Sequence, residues 1–450
     1  MNIHESHDTI FEDPRITVIP RQDTLPASGA SWMDAIIQSK FAVFYRKRIK
    51  KHRLLRSVVL IAMRIFFKTN GYLSKKKYKL IKQNIYAQLT GARLEVAPSY
   101  KTCNPRPSIF PSRAIEELGI KSYYKYEMPP AYISVIEDAL VFAGTGIIVK
   151  DLNAIYSDSI NIKKEIVFEE YRCYTRFCWD YQFASWFLPT KWALEIPEAA
   201  SFTDTASANF AHWLTEILPK IVLFCSQPQF KDVPLILNDG LPASILESAR
   251  VAAGPERRLY LLSSRYSVKV GRLHLTSSVG YAPAGSRGKR GNNFVEGHFN
   301  GHALRQMRHV MHTAAADFPH CGERLYLRRQ SSMRSLLNND EIEKILEEQG
   351  FTSIDTGQMS FLEQVAAMAG ARWIVAPGGA ALANLMFCKP DTNVVVLAAA
   401  KRENAYFYWD NMARPFDVKV SFVLGASKDH DIHADYQINP ADLLDALSQR

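Results

Sequence analysis

The sequence predicts an α/β protein of more than one unit, and three observations carry that prediction. The chain has 450 residues, beyond the length at which one hydrophobic core keeps growing. Its composition, 47% apolar and 22% charged with 22 Gly and 22 Pro, is that of an ordinary globular protein and excludes collagen, a coiled-coil rod or long disorder. In the second half, short apolar runs alternate with amphipathic segments of helical length. Strands joined by single helices run parallel, because the right-handed crossover packs each helix back on the sheet.

Taken in order, residues 1–30 are polar, rich in turn formers and without a signal-like apolar run, and are expected to be loosely ordered. Residues 40–82 hold 15 Lys or Arg and no acidic residue, so the net charge of +10 is one segment's; the remainder carries 40 basic against 45 acidic groups. Inside this block residues 54–67 are apolar but only fourteen long, with Arg56 and Arg64 among them, short of the roughly 20 apolar residues that span a bilayer. Two readings remain. One is an in-plane amphipathic helix on an anionic membrane surface, the other a buried helix with solvated basic flanks. A net acidic remainder with few aromatics among its basic runs argues against nucleic acid as a partner.

Residues 139–143 and 146–150, around Gly144-Thr145-Gly146, read as a hairpin. Extended segments at 192–196 and 201–205, a helix at 210–225, a strand at 233–237, a helix at 242–252 closed by Gly254 and strands at 258–262 and 268–276 follow. A Gly-rich basic loop, 282–297, contains GSRGKRGNN, and a helix at 298–316 ends near Pro319. Next come strand 324–327, helix 340–349 capped by Asn338, strand 351–354 and helix 361–370 with the Ser360/Glu363 capping box. Strand 373–376, the turn Pro377-Gly378-Gly379, helix 380–387, strand 393–397 and a terminal helix at 440–448 complete the pattern.

The expected division is a polar N-terminus with the basic membrane-surface segment (1–84), an N-terminal α/β domain (85–297), a linker helix (298–319), a C-terminal α/β domain (320–425) and a tail with its helix (426–450). Six cysteines, at 103, 173, 178, 225, 321 and 388, lack paired spacing and read as reduced thiols of a cytosolic protein. No metal site is expected. Asp429-His430-Asp431 lies in a polar stretch far from the strand ends, and His298, His302, His309 and His312 lack a carboxylate or cysteine set at ligand spacing.

In a parallel sheet the ligand crevice lies beyond the carboxyl ends of the strands. There the sequence places Arg328, Arg329 and Arg334 after one strand and Gly378, Gly379 and Ala380 after another. Glycines let backbone amides approach an anion, the following helix start offers N–H groups, and guanidinium forks match phosphate oxygens. In the first half, Asn209-Phe210-Ala211-His212-Trp213-Leu214-Thr215-Glu216 puts His212 and Glu216 four apart on one helix face. That spacing suits either a carboxylate orienting an imidazole or a plain surface contact.

These blocks, followed by Tyr326-Leu327-Arg328-Arg329, Asn338-Asn339-Asp340-Glu341, Glu363-Gln364 and Gly378-Gly379-Ala380-Ala381-Leu382-Ala383-Asn384, resemble in order and spacing glycosyltransferase family 61, whose bacterial members include capsular-polysaccharide biosynthesis proteins. The resemblance spans about residues 130–445. It implies a GT-B-like pair of Rossmann-type domains, a nucleotide-sugar donor as co-substrate with no further cofactor, inversion at the anomeric carbon and no obligatory metal. His212 and Glu216 are then the catalytic pair, with Asn209 and Trp213 on the acceptor side. Arg328, Arg329, Arg334, Gln364, Gly378, Gly379, Ala380 and Asn384 are the donor-binding set. Where the family has His-Gly-Ala, this chain has Gly378-Gly379-Ala380. The expected enzyme moves a hexose or pentose to a glycan or lipid-linked acceptor in surface or capsular polysaccharide biosynthesis. It works in the cytoplasm, held peripherally on the inner membrane face by residues 40–82. The alternative is a catalytically silent, membrane-associated scaffold of a polysaccharide assembly complex.

Overall fold

The computed structural model describes residues 13–19, 77–91, 93–171, 175–177, 181–186, 191–264, 266–286, 296–329, 334–402, 404–427 and 434–448. Most of the basic block, the GSRGKRGNN loop beyond Ser286 and Asp429-His430-Asp431 lie outside these residues, as do Cys173 and Cys178. Among the described residues no helix is long and apolar enough to cross a membrane.

Two sheets organise the chain, which is α/β as expected. The first has twelve strands and is mixed. Its parallel portion runs, in spatial order, Ile16–Ile19, Leu259–Leu262, Leu235–Asn238, Lys191–Ser201 and Tyr266–Thr276. The long strand Ala131–Phe142 then turns it antiparallel and pairs with Ile148–Lys150 across the expected hairpin. The second sheet is parallel throughout: Thr352–Ile354, Arg324–Leu327, Trp373–Pro377, Asn393–Ala399, Lys419–Gly425 and Ser108–Phe110.

Three segments depart from the sequence reading. Ile16–Ile19 is an edge strand inside the stretch expected to be loose; its four residues Ile-Thr-Val-Ile are all β-branched and suit a pleated edge. Ser108–Phe110 leaves the first half of the chain to become the last strand of the second sheet. The helix expected from residue 298 begins at Gly301, because the Asn300 side-chain oxygen accepts the amides of His302 at 3.0 Å and Ala303 at 3.2 Å. His298–Phe299 instead forms a short strand with Gly280–Tyr281.

One apolar core lies between the sheets. Leu214, Ile221, Leu246, Met307, Val365, Leu385 and Met412 belong to it, so helices from both halves bury their stripes together. The contact is also polar. The Glu247 carboxylate on helix Ala243–Ala253 accepts the amides of Phe361 at 2.7 Å and Leu362 at 3.3 Å, negative charge at the N-terminus of helix Phe361–Gly370.

Candidate active site

The first wall of the site begins with a proline. Pro219 carries no amide hydrogen and its ring crowds the carbonyl four residues back, Thr215, so an unbroken α-helix through this point is disfavoured. The helix that starts at Phe210 accordingly widens to a π-helix over Trp213–Ile217, the amide of Leu218 bonding Trp213 O, before Leu218–Cys225 resumes α geometry. Gly280 packs against the widened turn so tightly that an added Cβ would stand 2.2 Å from Thr215 O. Asn209 caps the start, its side chain accepting the amide of Ala211 at 3.1 Å.

Within this segment His212 Nδ1 lies 2.6 Å from Glu216 Oε1, the two side chains being 12% and 15% exposed. An ionised carboxylate only accepts, so the contact puts a proton on Nδ1 and makes Nε2 the basic nitrogen. Phe168 meets the imidazole edge-on, ring centroids 4.8 Å apart.

The second wall stands at the switch point of the parallel sheet. From Arg324–Leu327 the chain goes outward to Thr352–Ile354 and then back to Trp373–Pro377 on the other side, the place where open α/β sheets bind ligands. The turn Gly378-Gly379 follows, with Gly378 N bonded to Leu397 O at 2.9 Å. Arg329 donates to Gly378 O, and a Cβ on Gly379 would lie 3.2 to 3.3 Å from its guanidinium. Ala380–Phe387 is a 3-10 helix, not the α-helix expected. Residues 382–387 are all buried, and packing on every side overrides the α preference of this sequence.

The walls face one cavity of about 320 Å3, lined by Asn209, His212, Arg334, Gly378, Gly379 and Ala380 and closed by Tyr408 and Trp409. Arg334 has no carboxylate partner among the described residues, so its charge is available to an anion; desolvation acts the other way and lowers its pKa.

Other candidate residues stand elsewhere. Arg328 turns outward and pairs with Glu343, so it is not on the cavity wall. Trp213, expected on the acceptor side, is completely buried and donates to Ser248 Oγ at 2.7 Å; the widened helix turns it into the core. Gln364 and Asn384 are buried and do not line the cavity; Asn384 Nδ2 donates to Gln364 Oε1 at 2.8 Å and Gln364 Nε2 to Met359 O at 3.2 Å. The histidine series also disperses: His298 stacks on Tyr126 at 4.7 Å and His312 Nε2 bonds Phe387 O at 2.9 Å. No group of three or more His, Cys, Asp or Glu with metal-binding geometry occurs among the described residues.

A second, smaller pocket of about 80 Å3 adjoins the pair on the Glu216 side, lined by Glu169, Asp204, Glu216, Lys220, Thr276 and Tyr281 among others. Burial, then the nearby Asp204 charge, pushes the Glu169 carboxyl well above the usual carboxylate range. Neither Glu169 nor Asp204 stood out in the sequence, since nothing in their spacing links them to position 212.

Residues 210–395 match the family model described as Glycosyltransferase 61. The match takes in His212, Arg334 and Gly378–Ala380 and supports a likeness to glycosyltransferase family 61. No curated protein matches the chain.

Proposed function

We propose that the protein is an inverting, metal-independent glycosyltransferase of GT-B-like arrangement, moving a hexose or pentose from a nucleotide-sugar to a glycan or lipid-linked acceptor in surface or capsular polysaccharide synthesis. The observation that carries this reading is the shared cavity, where an imidazole held by a carboxylate faces a glycine turn and a guanidinium. The nucleoside diphosphate of the donor lies along Gly378–Ala380 against Arg334, with Arg329 fixing the turn. His212 Nε2 takes the proton of the acceptor hydroxyl, and that oxygen attacks the anomeric carbon from the face opposite the diphosphate. The bond from the anomeric carbon to the phosphate oxygen breaks and its electron pair leaves with the nucleotide. Glu216 stabilises the imidazolium that forms, and Arg334 meets charge growing on the leaving group.

The cationic phosphate wall and the family resemblance support a reaction without a metal or other cofactor. The basic block 40–82 supports peripheral attachment at the cytoplasmic face of the membrane. A panel of nucleotide sugars, assayed for transfer and hydrolysis with and without EDTA, tests the chemistry. Turnover that survives EDTA and disappears in His212→Ala is expected, and failure of every nucleotide to bind contradicts the reading. Flotation with anionic and neutral vesicles tests attachment: binding restricted to anionic vesicles and lost without residues 40–82 is expected, equal binding to both contradicts it.

A further inference from the structure

The pocket beside Glu216 has a chemistry of its own. Its wall brings Glu169, Asp204 and Glu216 together with one lysine, Lys220. A fourth carboxylate, Glu165, accepts the Tyr281 hydroxyl at 2.7 Å at the same place. The wall is therefore rich in hydrogen-bond acceptors and net negative. Thr276, in the same wall, is 4% exposed, and its hydroxyl has no hydrogen-bond partner among the described residues. A buried unpaired hydroxyl in a cavity wall marks a place where a polar guest completes the bonding. Gly146 and Gly280 are also in the wall; the amide of Gly146 supports Glu169, and Gly280 admits no side chain. Glu216 lines this pocket and His212 lines the large cavity, so the two spaces adjoin across the His212–Glu216 pair.

We propose that this pocket holds a sugar unit of the acceptor and that Glu169 and Asp204 select neutral or amino sugars over acidic ones. Hydroxyl and ammonium groups donate to the carboxylates, whereas a sugar carboxylate or phosphate brings like charge to a partly closed site. The proposal rests on the transferase reading for the meaning of the word acceptor; the pocket's selectivity is measurable without it.

The test uses the full chain and three probes, methyl β-glucoside, methyl β-glucosaminide with its free amine and methyl β-glucuronide, with dissociation constants from ligand-observed NMR. The glucoside and glucosaminide are expected to bind at least about tenfold tighter than the glucuronide, and Glu169→Gln with Asp204→Asn to narrow that ratio. Ala282→Leu, which fills the pocket, is expected to abolish binding of all three. Glucuronide binding as tight as glucoside, no binding by any probe, or binding that survives the filled pocket overturns the proposal. A nucleotide panel run on the same sample separates the two ideas. Nucleotides bound without sugar selectivity remove only this proposal; selectivity without any nucleotide bound removes only the transferase reading.

Discussion

The two walls of the large cavity reach the same space by opposite means. The His212 wall depends on one irregular stretch of backbone, a π-helix enforced by Pro219 and clamped by Gly280, that aims a single imidazole and its carboxylate. The Gly378 wall depends on where strands end in a regular sheet, and it presents backbone amides and long cationic side chains. A reacting group needs one orientation, whereas a diphosphate accepts several donors at once. Damage to the first wall should therefore appear in turnover, and damage to the second in donor affinity.

The largest effect is expected from His212→Ala, which should lower the transfer kcat by about 10^2 to 10^4-fold, the range of a lost general base, with donor Kd nearly unchanged. Equal losses in both parameters would erase the distinction between the walls. Pro219→Ala removes the obstacle to a regular α-helix. It should let the turn relax and misplace the imidazole, lowering kcat about 10 to 100-fold at similar donor affinity; hydrogen exchange across residues 213–218 would register the changed turn. Arg334→Ala should weaken donor binding by about 1.5 to 3 kcal/mol, the size of a lost charged hydrogen bond, read by calorimetry with a nucleoside diphosphate.

A stability prediction sharpens the contrast from outside the site. Burial pushes the Glu296 carboxyl up to about 7, although it accepts the amide of Phe407 at 3.0 Å. A group whose folded pKa lies above its unfolded value near 4.5 stabilises fully below about pH 4.5, and that contribution is lost as pH rises through about 7. Between pH 5 and pH 8 the wild type should lose on the order of 1 to 3 kcal/mol more than Glu296→Gln in denaturant titrations. The smallest effect concerns the glycine turn. A Cβ on Gly378 meets Leu397 O at 3.6 Å and Val396 Cγ1 at 4.0 Å, both ordinary contacts, so Gly378→His should fold and tighten donor binding a few-fold. Weakened binding would show that the turn works through its backbone alone.

The second wall was readable in the sequence because its signals are local. Ser360 and Glu363, Gly350 and the Gly378-Gly379 turn each fix an element boundary, and a parallel sheet then brings the strand ends to one edge. What lay hidden depends on the tertiary fold. Ser108–Phe110 joins a sheet whose nearest partner strand is hundreds of residues later. Glu169 and Asp204 meet Glu216 only after the long strand Lys191–Ser201 is in place. Pro219 inside an otherwise helical pattern was the visible clue to the widened turn, and with it to the burial of Trp213. Arg328 and Arg329 adjoin in sequence but leave a strand end in different directions, which spacing does not reveal.

A crystal structure of the protein with a bound nucleoside diphosphate tests the central claim most directly. The account predicts the phosphates against the amides of Gly379 and Ala380 with oxygen atoms in hydrogen-bond reach of Arg334, and the His212 ring across the cavity where the sugar would follow. Phosphates bound elsewhere on the chain, or bound there with the imidazole turned away, would contradict it.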